Sequence, residues 1–138
     1  MKKLLYALLL CSTIVLAGEI KLLDQNATDP SYLIPLKKYP EWLCEAKLKN
    51  GTMMQFASVK SMMQTYQHQD YFKKRKLLED GIDAIYIQDF ISGNRVDATK
   101  AVYLFGSRTT GPHGDDLIPF ASQTVSYTHL TLPTICSV

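Results

Sequence analysis

With 138 residues, of which 46% are apolar and 20% charged, the chain can fill one small domain and lacks the polar bias of a disordered segment. Its formal charge of +2 is spread over both signs, and its basic cluster, Lys73 to Lys76, is followed closely by Glu79, Asp80 and Asp83. That distribution argues against nucleic acid as a partner.

The opening MKKLLYALLLCSTIVLAG carries an apolar run from Leu4 to Leu16 behind two lysines, with Val15 and Ala17 where a signal peptidase reads. It reads as a secretory signal over residues 1–17, since the run falls short of the roughly 20 residues of a membrane span. The expected product is an exported, periplasmic chain that starts near Gly18. Membrane association is expected only with lipidation at Cys11, where the preceding Leu10 is bulkier than such sites favour. Export to an oxidising compartment leaves Cys44 and Cys136 as the cysteines that could pair.

Residues 18–30 are polar, end in Asn26-Ala27-Thr28-Asp29-Pro30, and read as a tether. In EWLCEAKLKNGTMMQFA, Trp42, Cys44, Ala46 and Leu48 alternate with Leu43, Glu45, Lys47 and Lys49, the pattern of a half-buried strand. Asn50-Gly51 is a favoured hairpin turn, because both positions tolerate positive φ, and Thr52 to Ala57 becomes the return strand. Ser58 can cap a helix with Val59, Met62, Met63, Tyr66 and Phe72 at helical spacing. The polar stretch Gln67 to Asp70 predicts a break, and Gly81 a stop. DAIYIQDF then gives a third strand, with Ala84, Tyr86 and Gln88 facing one way and Ile85, Ile87 and Asp89 the other. Residues 31–90 thus read as a strand-strand-helix-strand unit.

Ser92-Gly93-Asn94 turns the chain into an extended piece from Arg95 to Ser107 that includes a strand at Ala101 to Phe105. After the GPHG turn, LIPFAS opens another strand. The expected fold class is α+β, with two small strand-strand-helix-strand repeats, the second begun over 91–125 but incomplete.

Three separated stretches, KKYPEWLCEAKLKNG, SVKSMMQTY and VDATKAVYLFGSRTTGPHGDDLIPFAS, occur in an order that resembles the NosL family, the accessory proteins of nitrous oxide reductase. The resemblance runs from Tyr32 to Ser122 and rests on the Tyr39-Pro40-x-Trp42 corner, the helix opening at Ser58 to Met63, and the glycine-proline turn that leads into LIPF. It implies a periplasmic, often lipid-anchored copper(I) chaperone that supplies nitrous oxide reductase or its membrane maturation complex. The last stretch, SYTHLTLPTICSV over 126–138, departs from the family pattern and resembles translated sequencing-adapter read-through, with a threonine-rich strand as the alternative. On the first reading His129 and Cys136 have no role, and the closing helix and strand of the second unit are missing.

Copper(I) is a soft, closed-shell ion that favours thiolate and thioether, accepts imidazole and needs only two or three donors. The resemblance implies a cysteine and, two residues on, a methionine as first ligands, at positions that here read Tyr32 and Ile34. At the turn, where the family commonly has methionine, this chain has His113, a copper-competent donor or a plain turn residue. Met62 aligns with a methionine of the helix-opening motif and is the second candidate metal ligand. Met53, Met54 and Met63 read as core filler, and Cys44 as a small hydrophobe of the strand's apolar face.

An enzyme is not expected. Asp115 or Asp116 can be drawn as an orienter for a His113 base, but no nucleophile lies nearby in sequence. The implied fold is also similar to that of organomercurial lyase, whose chemistry needs a cysteine pair where only Cys44 is credible. The alternative to a copper chaperone is a docking module that keeps the fold and binds a membrane or reductase partner without metal.

Overall fold

Seven strands divide between two antiparallel sheets in the computed structural model, which describes residues 18–121 together with the backbone of 134–137. The residues read as a signal, Cys11 among them, and the stretch containing His129 lie outside the described residues. Strands β1 (Cys44–Leu48), β2 (Met53–Phe56), β3 (Ile82–Gln88) and β4 (Arg95–Asp97) form one sheet in the order β2-β1-β3-β4. Strands β5 (Val102–Phe105), β6 (Ile118–Phe120) and β7 (Thr134–Ser137) form the second, in the order β6-β5-β7. Two short helices, α1 (Val59–Gln67) and α2 (Gln69–Lys74), complete an α+β architecture.

The β1-β2 hairpin forms at Asn50-Gly51, but through a three-residue loop, Lys49 to Gly51, rather than the two-residue turn expected with both positions at positive φ, since of the pair only Gly51 has one. Gly51 sits at φ +87°, in the left-handed region, and Leu48 N–H donates to the Thr52 carbonyl at 2.8 Å to close the turn. Cys44 then lies opposite Phe56, and Ala46 opposite both Met54 and Ile85. This face, with Leu48 and Ile87, makes one core with Val59 and Met62 of α1 and Phe72 of α2. Ser58 caps α1, its hydroxyl accepting the Ser61 N–H at 3.3 Å. The helix breaks at His68, inside the polar stretch that predicts a break. The helical segment ends well before Gly81, with Lys76 at φ +58° turning the chain. Gly81 instead serves the sheet, its carbonyl accepting the Lys49 N–H at 2.8 Å.

The opposite face of this sheet is not open to solvent, and residues 18–30 are not a free tether. Ile20 and Leu36 are buried with Leu43 and Ala57, and Tyr86 packs against them. The Gln55 side chain stitches the segment down, accepting from Leu23 N–H at 2.9 Å and donating to the Lys21 carbonyl at 2.7 Å. Glu45, expected on a solvated charged face, is buried beneath this cover. It is compensated by Arg95, whose Nε lies 2.7 Å from its carboxylate and whose guanidinium sits 3.7 Å above the Tyr86 ring. Local polarity could not report this cover, because the segment is held by partners distant in sequence.

Trp42 also departs from expectation. It ends a 3-10 turn, Pro40–Trp42, rather than opening β1, since proline presets φ for such a tight turn. Its ring joins Leu104, Ile118 and Phe120 in the core of the second sheet. That sheet repeats the order of the first three strands, a central first strand flanked by the second and third. The backbone of β7, within the stretch read as read-through or as a threonine-rich strand, pairs along the other edge of β5.

Cys44 is the buried free cysteine of the described residues. Burial pushes its thiol well above the usual range, with Asp116, Asp29 and Glu45 adding to the shift, and burial likewise raises the Tyr103 phenol. The folded chain therefore holds protons that the unfolded chain releases, from about pH 8.5 for a thiol and about pH 10 for a phenol. The stability this supplies is complete below those values and is lost as pH rises through them. A disulfide-exchange reagent at pH 8 should leave Cys44 unmodified until denaturant opens the fold, and Cys44→Ala should make the alkaline loss of stability shallower.

Candidate metal centre

Two loops meet at the start of α1, each held by a buried aspartate. Asp29, fully buried, takes four donated hydrogen bonds: from Ser31 N–H at 2.9 Å, Tyr32 N–H at 3.0 Å, the Ser61 hydroxyl at 2.6 Å and Ala57 N–H at 2.8 Å. Its backbone closes the same loop, donating to the Ile34 carbonyl at 2.8 Å and accepting from Leu33 N–H at 2.9 Å. A carboxylate so placed also faces the positive end of α1. The consequence is a fixed position for Tyr32.

The second loop is the GPHG turn. Gly111 and Gly114 exchange backbone hydrogen bonds at 2.8 and 3.1 Å around Pro112-His113, and Gly114 has φ +78°. A Cβ on Gly111 would lie 2.5 Å from the Asp116 Cβ, so only glycine allows this approach. Asp116 is 2% exposed. Its Oδ1 accepts from Leu117 N–H at 2.9 Å and from Lys60 N–H, in the first turn of α1, at 3.4 Å, while its Oδ2 has no partner. The turn is thereby tied to the same helix end that Asp29 holds.

Between the two anchors, the His113 imidazole lies on the Tyr32 ring, with centroids 3.8 Å apart and planes tilted by 37°. The buried Nε2 of His113 has no hydrogen-bond partner. A buried imidazole nitrogen without a partner has a lone pair free for a cation, and the adjacent π-face is itself attractive to positive charge. Among the described residues no carboxylate pairs with that nitrogen, and no base-and-orienter arrangement forms: Asp115 is exposed, and the Asp116 hydrogen bonds go to backbone.

Met62 is not brought to His113. It has no exposed surface and packs among Cys44, Phe56 and Val59, because the Ser58 cap sets the helix phase that turns it inward with Val59. A sealed thioether cannot receive an ion without opening the core. Met54 and Met63 pack partly buried against the same cluster, as core filler should, whereas Met53 and Met54 also line a surface groove with Leu23 and Leu33. Ile34, in the position of the implied methionine, is half-buried and has no donor atom in its side chain. Among the described residues no group of three or more His, Cys, Asp or Glu side chains could hold a metal ion. His113 with Tyr32 is therefore the candidate centre. Of the two buried aspartates that hold it, the sequence offers Asp116 only as an orienter for His113, and Asp29 only as part of a polar tether. The Asp29-Pro30-Ser31 turn signature was there, but nothing local marks the reach to Ala57 and Ser61.

The model of the NosL family matches residues 22–128. The chain belongs to the NosL family. In three dimensions it is similar to the crystal structure of the copper chaperone NosL from Shewanella denitrificans, with a TM-score of 0.64 at 12% identity, over 86% of this chain and 92% of that one. At that identity the likeness speaks for the fold. No curated protein matches the chain.

Proposed function

We propose that the chain is a periplasmic copper-handling accessory protein of the NosL kind, serving metal-centre assembly of nitrous oxide reductase through its membrane maturation complex. Family membership and the copper chaperone it resembles in fold support the copper role. The observation that carries it into this chain is the unpartnered His113 Nε2 beside Tyr32, at two places where the family resemblance implies donors. The matching strand orders β2-β1-β3 and β6-β5-β7 support a fold of two repeated units.

His113 is one donor, and copper(I) is satisfied by two or three. The ion is cargo: His113 is only half-buried, and its ring, turned off Tyr32, would present Nε2 to an ion shared with a soft donor of the molecule that delivers or receives it. A weak site of this kind suits hand-over rather than storage. Anaerobic competition of the reduced protein against a chromophoric copper(I) chelator tests it. With free methionine added to stand in for the partner's soft donor, the wild type should withdraw copper, His113→Ala should not, and Met62→Leu should behave as wild type. Failure of the wild type to take any copper would remove the metal role.

A second reading is a docking module without metal. Tyr32 and Ile34 in place of soft donors, with Met62 sealed in the core, favour it. On that reading His113→Ala leaves partner binding and cellular function unchanged.

A further inference from the structure

The described residues with positive φ other than glycine are Leu33 and Lys76, both at +58°, and both line one surface groove of about 410 Å³ beside β2. A left-handed backbone at a non-glycine residue stores strain, and such strain gathers where a surface is used. The same groove presents Leu23 at 65% exposure, Leu33 at 71% and Leu77 at 41%, more than half of the two most exposed side chains standing in solvent. Pro30, Leu33 and Leu77 also border an adjoining groove that contains Tyr71 and Arg75. Arg75 lies over the Tyr71 ring at 5.1 Å, and Lys73 and Lys74 precede it at the end of α2. Asp24 is the acidic residue among the linings of both grooves, and its carboxylate already accepts the Asn26 N–H at 2.8 Å.

We infer that this face docks the protein on an anionic lipid bilayer, with Leu23, Leu33 and Leu77 entering the interface and Lys73 to Lys76 meeting the headgroups. Leucines that protrude singly rather than lining a deep pocket suit insertion among lipids more than capture of a folded partner. The positive run beside them complements a negative surface, which asks no shape match of the protein. The Leu33 strain fits the same use, since the left-handed turn holds an apolar side chain outward against its preference for burial. This surface involves neither His113 nor Tyr32, so it stands whether or not the chain carries copper.

Co-sedimentation of the chain from Gly18 onward, which contains every described residue, with phosphatidylcholine vesicles with and without phosphatidylglycerol provides the test. The expected result is partition onto the anionic vesicles, little onto pure phosphatidylcholine, and release at high salt. Arg75→Gln with Lys76→Asn should lower partition about 30-fold. Leu33→Asn should lower it about tenfold. Asparagine tolerates the left-handed region, so both position 33 and position 76 variants should keep the wild-type melting temperature or exceed it, separating lost docking from lost fold. Wild-type protein that ignores anionic vesicles, or variants that bind them as well as wild type, would overturn the inference. If the same variants instead lose binding to a detergent-solubilised membrane protein, the face docks protein and not lipid.

Discussion

Asp29→Ala should cost the fold about 3–5 kcal/mol and release the Tyr32 to His113 stack in the same step. The carboxylate is fully buried and takes donors from three separate segments: the 29–34 loop, Ala57 at the end of β2, and Ser61 in α1. Its removal strands Ala57 N–H and the Ser61 hydroxyl without a partner, and each such orphan costs about 1–3 kcal/mol. Asp29→Asn should cost roughly half as much as alanine, because one oxygen survives while the new amide opposes a donor. Urea unfolding measures the loss. The His113 ring protons, shifted by the Tyr32 ring current in the wild type, report the stack. If Asp29→Ala unfolds more easily yet keeps those shifts, the aspartate is a structural tie only and does not position the candidate centre.

That hub also marks the boundary of what the sequence made legible. The β1-β2 hairpin, the helix break near His68 and the inward set Ile85 and Ile87 follow from local rules, where turn chemistry and periodicity agree with the final packing. Residues 18–30 and Trp42 went the other way, because their environment is made by distant partners, Gln55 for the one and Leu104 with Ile118 for the other. Asp29 looked like ordinary turn chemistry for the same reason. At the site, His113 and Tyr32 each stood out singly, one as a competent donor and the other as a missing one. Their contact was beyond reach of spacing arguments, since two anchors on α1 create it. Met62 shows the opposite case: its helical register points to the core, and only its match to the family's helix-opening motif marks it as a donor.

The sharpest measurement of the site is a gain of function. Tyr32→Cys with Ile34→Met should raise copper(I) affinity about a thousandfold, roughly 4 kcal/mol, by adding a thiolate and a thioether to the imidazole. The backbone there should survive the change, because it is fixed by bonds that neither side chain makes: Tyr32 N–H to the Asp29 carboxylate, and the Ile34 carbonyl to Asp29 N–H. Tyr32 is 39% exposed, so its ring is dispensable to the core, and a thiol grown from the same Cβ starts from the position now stacked on His113. Tyr32→Ala is the control. It removes the ring without adding a donor and should gain nothing, losing only the attraction of the π-face for the ion, about 0.5–2 kcal/mol. Adding His113→Ala to the double variant should then cost affinity again, which shows that all the donors face one ion rather than acting separately. If the double variant holds copper no more tightly than the wild type against the chelator, the two loops are not set for metal. The docking reading would then account for this chain, and the His113 stack would be a device for joining the GPHG turn to the 29–34 loop.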